Sequence, residues 1–219
     1  MGLDRIHLRK LLKIMMLNEG PRLTAIKNDA RDEMKRRDEG PTPGGDFHVP
    51  FWSAAKDHAA GRRELGEAIA EQIDRNWRRE KLYPRLRDGF LRWWNENRRW
   101  INAEIVELPR TIKASVGFAE IDGTVKVENM LCLGIGEDQY RYVYPYFSDR
   151  PMMDSETAKL GLWLMSRALP DHRIEDMRIL DVLRAETFSV DRFPLDGTEE
   201  EVFTLRYRRI LKEWRRHFR

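Results

Sequence analysis

The chain predicts an α+β fold: a helical N-terminal extension, then helices packed on a three- to four-stranded, mainly antiparallel sheet in the order α-β-β-β-α-β-α. Three observations carry this. Apolar residues recur at helical spacing through the first hundred residues, the period changes to two between about Thr111 and Phe147, and capped helical patterns return on both sides of one further extended run. The length of 219 residues suits one core with an appendage. With 41% apolar and 35% charged residues the chain is rich in charge, yet it keeps the core formers that disordered chains lack. The expected division is a helical extension over 1–39, a Gly/Pro linker over 40–50 and an α+β core over 51–219.

Asp4 is placed to cap a first helix through RIHLRKLLKIMML, where Ile6, Leu8, Leu11, Leu12, Met15 and Met16 form a wide apolar face that Gly20 and Pro21 end. A second helix, Leu23 to Asp38, is almost wholly polar, and it is expected to project or to meet a partner. Gly40 to Pro50 carries Gly or Pro at six of eleven positions, which marks the linker, with Phe47, Val49, Phe51 and Trp52 available to dock on the core. From Ser53 the pattern is helical, and Leu65, Ile69, Ile73 and Trp77 stand four apart on one side. Pro84 breaks that run and suits the first turn of a fresh helix to Trp100, with Leu86, Phe90, Trp93, Trp94 and Ile101 facing inward.

Three extended runs follow, TIKASVGFAEID, TVKVENMLCLGI and QYRYVYPYF, expected to form an antiparallel meander with a hairpin turn at Asp122-Gly123. Tyr140, Tyr142, Tyr144 and Tyr146 should share one face of the third run. Asp154 or Ser155 caps a helix whose apolar residues nearly encircle it, so it belongs between layers. MRILDVLRAETFSV reads as one long or bulged strand. Thr198 with Glu201 makes a capping box for the last helix, whose Phe203, Tyr207, Ile210, Trp214 and Phe218 line one face.

The chain carries a formal net charge of +3, but the charge is concentrated. Arg75 to Trp100 holds nine Lys/Arg against three Asp/Glu and four of the seven tryptophans, and Thr204 to Arg219 holds seven cations against Glu213. Arg78, Arg85, Arg92 and Arg99 recur every seventh residue, a spacing that on one helix tracks a line of phosphates. The competing reading makes Asp88, Arg92 and Glu96 an i,i+4 ion-pair ladder and the tryptophans core. The candidate nucleic-acid contacts are Arg78, Arg85, Arg92, Arg98 and Arg99 on the first basic helix and Arg209, Lys212, Arg215 and Arg216 on the second.

The element order resembles the restriction-endonuclease-like core. That family holds a metal with an acidic residue on one strand and an acid-x-Lys pair on the next. Here the corresponding strand reads YRYVYPYF without a carboxylate, and Glu33-x-Lys35 lies in the polar N-terminal helix. The resemblance therefore implies a degenerate, catalytically inactive version, and Glu120, Asp122 and Glu128 are what is left for a metal nuclease. The order is also similar to that of double-stranded RNA-binding domains over Pro84 to Pro170, where only Ala158-Lys159 matches the family's basic helix start.

Other chemistries find little support. No two of the five histidines stand three or four apart, and phosphate-binding loops, dinucleotide fingerprints and serine nucleophile elbows are absent, so no catalytic residue, metal or cofactor is expected. Asp46-x-His48 is the nearest metal-like pair. The lone Cys132 sits in an apolar run, as a reduced cytoplasmic thiol would. Secretory signal, myristoylation pattern and membrane-spanning stretch are not expected. The leading expectation is a non-catalytic, cytoplasmic, nucleic-acid-associated accessory protein. Its alternative is an adaptor whose residues 1–39 bind another protein or a second copy.

Overall fold

The computed structural model describes residues 2–40, 46–99, 105–108, 112–136 and 139–218. The α+β class holds, with seven α-helices and two mixed sheets among the described residues. The larger sheet is made by β2 (Ile105–Glu107), β5 (Leu131–Ile135), β6 (Gln139–Tyr146), β7 (Met177–Asp181) and β8 (Glu186–Phe188), neighbours in that order. The smaller joins β1 (Arg5–His7), β4 (Gly123–Glu128) and β3 (Lys113–Phe118). β6 and β7 run parallel, as their connection through α6 (Ser155–Ala168) allows, whereas the other pairs of the larger sheet are antiparallel.

Alternation along the strands separates two cores. Cys132, Tyr142, Tyr144, Tyr146, Met177 and Ile179 point to one side, and Leu131, Leu133, Val143 and Leu180 to the other. The first side is covered by α1 (Leu8–Met16), α6, α7 (Glu199–Arg215) and the smaller sheet, the second by α3 (Val49–Ala59), α4 (Leu65–Arg75) and α5 (Tyr83–Arg99). The larger sheet is thus a middle layer, buried on both faces. The tyrosine face is as expected for Tyr142, Tyr144 and Tyr146, while Tyr140 lies near the sheet's margin, 38% exposed.

The single meander does not form. The run from Thr124 to Ile135 is cut at Asn129, which has φ 63°, so β4 and β5 enter different sheets. Asparagine tolerates that left-handed geometry, and the carbonyl it exposes accepts the Trp52 indole N–H at 2.6 Å. The three consecutive antiparallel strands on which the restriction-endonuclease likeness rested are therefore divided. The run after Met177 is likewise not one strand: it folds back through Val182–Ala185, with Ala185 at φ 56°, and β8 pairs with β7.

The N-terminal segment is not an extension. Arg5–His7 is a strand parallel to β4, with Ile6 opposite Val125, and Leu8, Leu11, Leu12 and Ile14 are buried in the first core. Asp4 consequently does not cap the helix; His7 holds that position without a side-chain bond. Gly20 and Pro21 open α2 (Glu19–Glu39) instead of closing α1, because glycine and proline are both tolerated in a first turn. α2 keeps its polar character but buries Ile26 and Ala30 in the same core, with Arg22 paired to Glu213 of α7. Residues 41–45 of the expected linker lie outside the described ones, while Phe47 docks as anticipated, its carbonyl accepting the Tyr83 hydroxyl at 2.6 Å.

Two caps show how local sequence is used. Asp154 accepts the Thr157 N–H at 2.6 Å and starts α6 as expected. At α7 the Thr198 side chain makes no capping bond; Glu199, 4% exposed, instead accepts from the backbone N–H groups of Asp196 and Gly197 at 2.6 and 2.9 Å. A carboxylate at the positive end of the helix satisfies the preceding turn.

Candidate nucleic-acid interface

α5 is fastened to the sheet by its apolar side. Leu86, Phe90, Trp93 and Trp94 are buried among Trp52, Val143 and Leu180, and Phe90 stands 5.9 Å from the Trp52 ring centroid at 88°. Gly89 permits the approach, since a Cβ there would fall 2.0 Å from the Val182 carbonyl oxygen. Trp77 does not continue the apolar side of α4. It sits in a separate turn at Trp77–Arg79 and is 75% exposed, because the helix ends at Arg75 and Asn76 is extended.

The cations of α5 whose side chains are described are engaged within the fold. Arg85 donates to Asp149 at 2.7 Å, which holds the Asp149 carboxyl below its ordinary range and raises the Arg85 guanidinium. Arg92 donates to the Arg184 carbonyl at 2.7 Å and Arg87 pairs with Asp88, so the expected ladder of Asp88, Arg92 and Glu96 is not the one formed. Those partners, Asp149 and Arg184, close the carboxyl ends of β6 and β7. Arg184 also donates to the Ser148 carbonyl at 2.8 Å and pairs with Asp181, which is 1% exposed and whose carboxyl burial pushes up. Arg78 is exposed on the 77–79 turn, off the α5 stripe. The side chains of Arg98 and Arg99 lie outside the described ones.

α7 is arranged differently. Phe203, Tyr207, Ile210, Leu211 and Trp214 enter the first core, and the Tyr207 hydroxyl donates to the Leu3 carbonyl at 2.8 Å. Its outward side, with the turn that follows it, lines a cavity of about 480 Å³ with Arg208, Lys212, Arg215 and Arg216, opposite Glu120 and Ile121. Arg208 pairs with Glu120 at 3.1 Å, and Arg215 donates to the Ile121 and Asp122 carbonyls at 2.8 Å each. Lys212 and Arg216 are exposed and have no carboxylate partner among the described residues. Arg209 belongs to neither set; it pairs with Glu213 at 3.2 Å one turn on.

Of the sequence candidates, Lys212, Arg215 and Arg216 are brought together; Arg78, Arg85 and Arg92 lie on the opposite side of the central sheet. The two basic helices therefore do not make one surface. Arg208 was missed because its neighbour Glu120 is 88 residues away. The carboxylates of a metal nuclease are occupied otherwise: Glu120 by Arg208, Asp122 by Arg215 at 3.6 Å, and Glu128 by Lys126 at 3.9 Å. Among the described residues no group of three or more His, Cys, Asp or Glu side chains could hold a metal ion, and no helix is long and apolar enough to cross a membrane. Cys132, the chain's one cysteine, is buried in β5.

Two further cavities belong to no sequence expectation. One of about 750 Å³ is lined by Tyr140, Arg141, Tyr142, His172, Arg178 and neighbouring acids, in which Asp176 and Asp191 neutralise the two arginines at 3.2 Å. The other, of about 230 Å³, lies between α1 and the residues after β6. No protein-family model matches the sequence, and no curated protein matches it.

Proposed function

We propose that this is a non-catalytic, nucleic-acid-associated protein that contacts phosphates through the C-terminal helix. The observation that carries the reading is the cavity beside α7, where Lys212 and Arg216 have no carboxylate partner among the described residues and stand beside the held guanidinium of Arg215. A held guanidinium with two exposed cationic neighbours suits a phosphate backbone, which needs positive charge at intervals and no base-specific shape. α5 contributes less, since Arg85 and Arg92 already have partners.

An adaptor role for residues 1–39 has less to rest on, because the apolar side of α1 is used within the core and Met34 is the large apolar residue that α2 exposes. The α7 reading is tested by fluorescence anisotropy on single- and double-stranded DNA and RNA across a salt series. Binding should weaken steeply with salt, and the double substitution Lys212→Glu/Arg216→Glu should lower affinity on every sequence alike. No binding at low salt, or binding unchanged by the double substitution, overturns the reading.

A further inference from the structure

The 230 Å³ cavity is built on the first turns of α1. Arg9, Lys10 and Lys13 line it from the helix, Phe147 and Ser148 from the end of β6, and His48 from the segment before α3. Arg9 is held firmly. Its side chain is 12% exposed, its guanidinium lies 5.8 Å from the Phe147 ring centroid, and its backbone N–H donates to the Tyr144 hydroxyl at 3.1 Å. His48 is fixed as well, stacked on Phe147 at 4.9 Å with the rings 4° from parallel.

Charge in this cavity is unbalanced. Lys10 is neutralised by the buried Asp29, and Arg9 pairs with Asp46, the single acid of the lining. Lys13 has no carboxylate partner among the described residues. The imbalance is felt by His48: burial first, then the fields of Arg9 and Lys13, hold its pKa at about 4, although Asp46 Oδ1 stands 3.4 Å from its Nδ1. At neutral pH His48 is therefore uncharged, with one nitrogen to donate and one to accept.

We propose that this cavity binds the phosphate head of a phosphomonoester, with Arg9 and Lys13 as its cations and Ser148 and His48 as hydrogen-bonding partners. The Asp46 carboxylate on Arg9 shows that the guanidinium receives an oxyanion here, and its five donors can serve a second one beside it. Two cations against one acid leave a net charge of +1 in the lining, and a phosphate head brings more acceptor oxygens than a carboxylate to the donors of Arg9, Lys13, Ser148 and His48. The ring face of Phe147, already stacked, sets one wall and limits how much of the ester enters. A free mononucleotide and the phosphorylated end of a nucleic-acid strand both present this group. The site does not depend on the α7 surface.

The test is an NMR titration of the His48 ring in the full chain, with sodium chloride or inorganic phosphate at equal ionic strength. Phosphate beside the ring should move the His48 midpoint upward by about one pH unit, because a nearby negative charge favours the protonated form. Lys13→Ala, at a half-exposed position that no described carboxylate depends on, should abolish that rise, whereas Lys212→Glu should leave it intact. Equal midpoints in the two salts, or an undiminished rise in Lys13→Ala, overturn the proposal. Repeating the titration with adenylate and with terminally phosphorylated and unphosphorylated oligonucleotides separates the sources. A rise with adenylate alone points to the free nucleotide, and one with the phosphorylated strand to a strand end. A rise of equal size with the unphosphorylated strand overturns the monoester assignment.

Discussion

α5 and α7 look alike in sequence, each an apolar stripe of aromatic residues with a surplus of arginine, yet they do opposite things with that surplus. α5 turns Arg85 and Arg92 toward the loops that end β6 and β7, and the charge of these two is answered by Asp149 and a carbonyl. α7 leaves Lys212 and Arg216 facing an open cavity on the other side of the sheet. A local excess of cations is thus no measure of exposed field. What decides it is where the fold delivers carboxylates, and those come from residues far away in the chain.

The largest expected effects test the part the helices share. Phe90→Ala in α5 and Phe203→Ala in α7 each empty a fully buried position and should cost about 4 kcal/mol by urea denaturation. A much smaller loss for one of them would mean that its helix is not an equal part of the core. Next comes the network particular to the α5 side. Asp181→Ala leaves Arg184 without its buried carboxylate and should cost about 3 kcal/mol, with hydrogen exchange rising over 148–153 and 182–185 and not in α7.

A smaller effect separates the helices by function. Lys212→Glu should weaken nucleic-acid binding by about tenfold at moderate salt, while Arg85→Ala leaves it within error. Equal losses would place phosphate on both faces and dissolve the contrast. The last is a pH effect, felt only in acid and away from both helices. A histidine whose folded pKa is depressed binds its proton more readily when unfolded, so the stability contributed by neutral His48 is complete above pH 6.5 and is lost as pH falls through that value toward about 4. His48→Phe keeps the ring against Phe147 and removes the titration. Its stability should therefore fall less than that of the native chain over that window, measured as urea midpoints at successive pH values.

Periodicity disclosed much of the fold. The buried sides of α5, α6 and α7 and the inward tyrosines of β6 were legible because they depend on spacing alone. Asn129 hid the division into two sheets: in sequence it is one polar residue inside an apolar run, and its left-handed backbone is what turns the chain. β1 was illegible for a related reason, since Arg5–His7 is strand only by virtue of lying beside β4. The candidate site was half legible. Lys212, Arg215 and Arg216 follow from composition, but Arg208 acquires its setting from Glu120, and the cavity at Arg9 and Lys13 draws on three separate stretches.

The bond from the Tyr207 hydroxyl to the Leu3 carbonyl spans 204 residues, and Gly2 is packed so closely on Trp214 that a Cβ would lie 2.5 Å from its ring. During synthesis the first strand and first helix emerge long before the helix that covers them. Their apolar residues must wait through the synthesis of the intervening chain for a cover. The nascent chain therefore carries an unfinished layer until α7 leaves the ribosome, and over that interval the layer is exposed to aggregation and to the cell's chaperones.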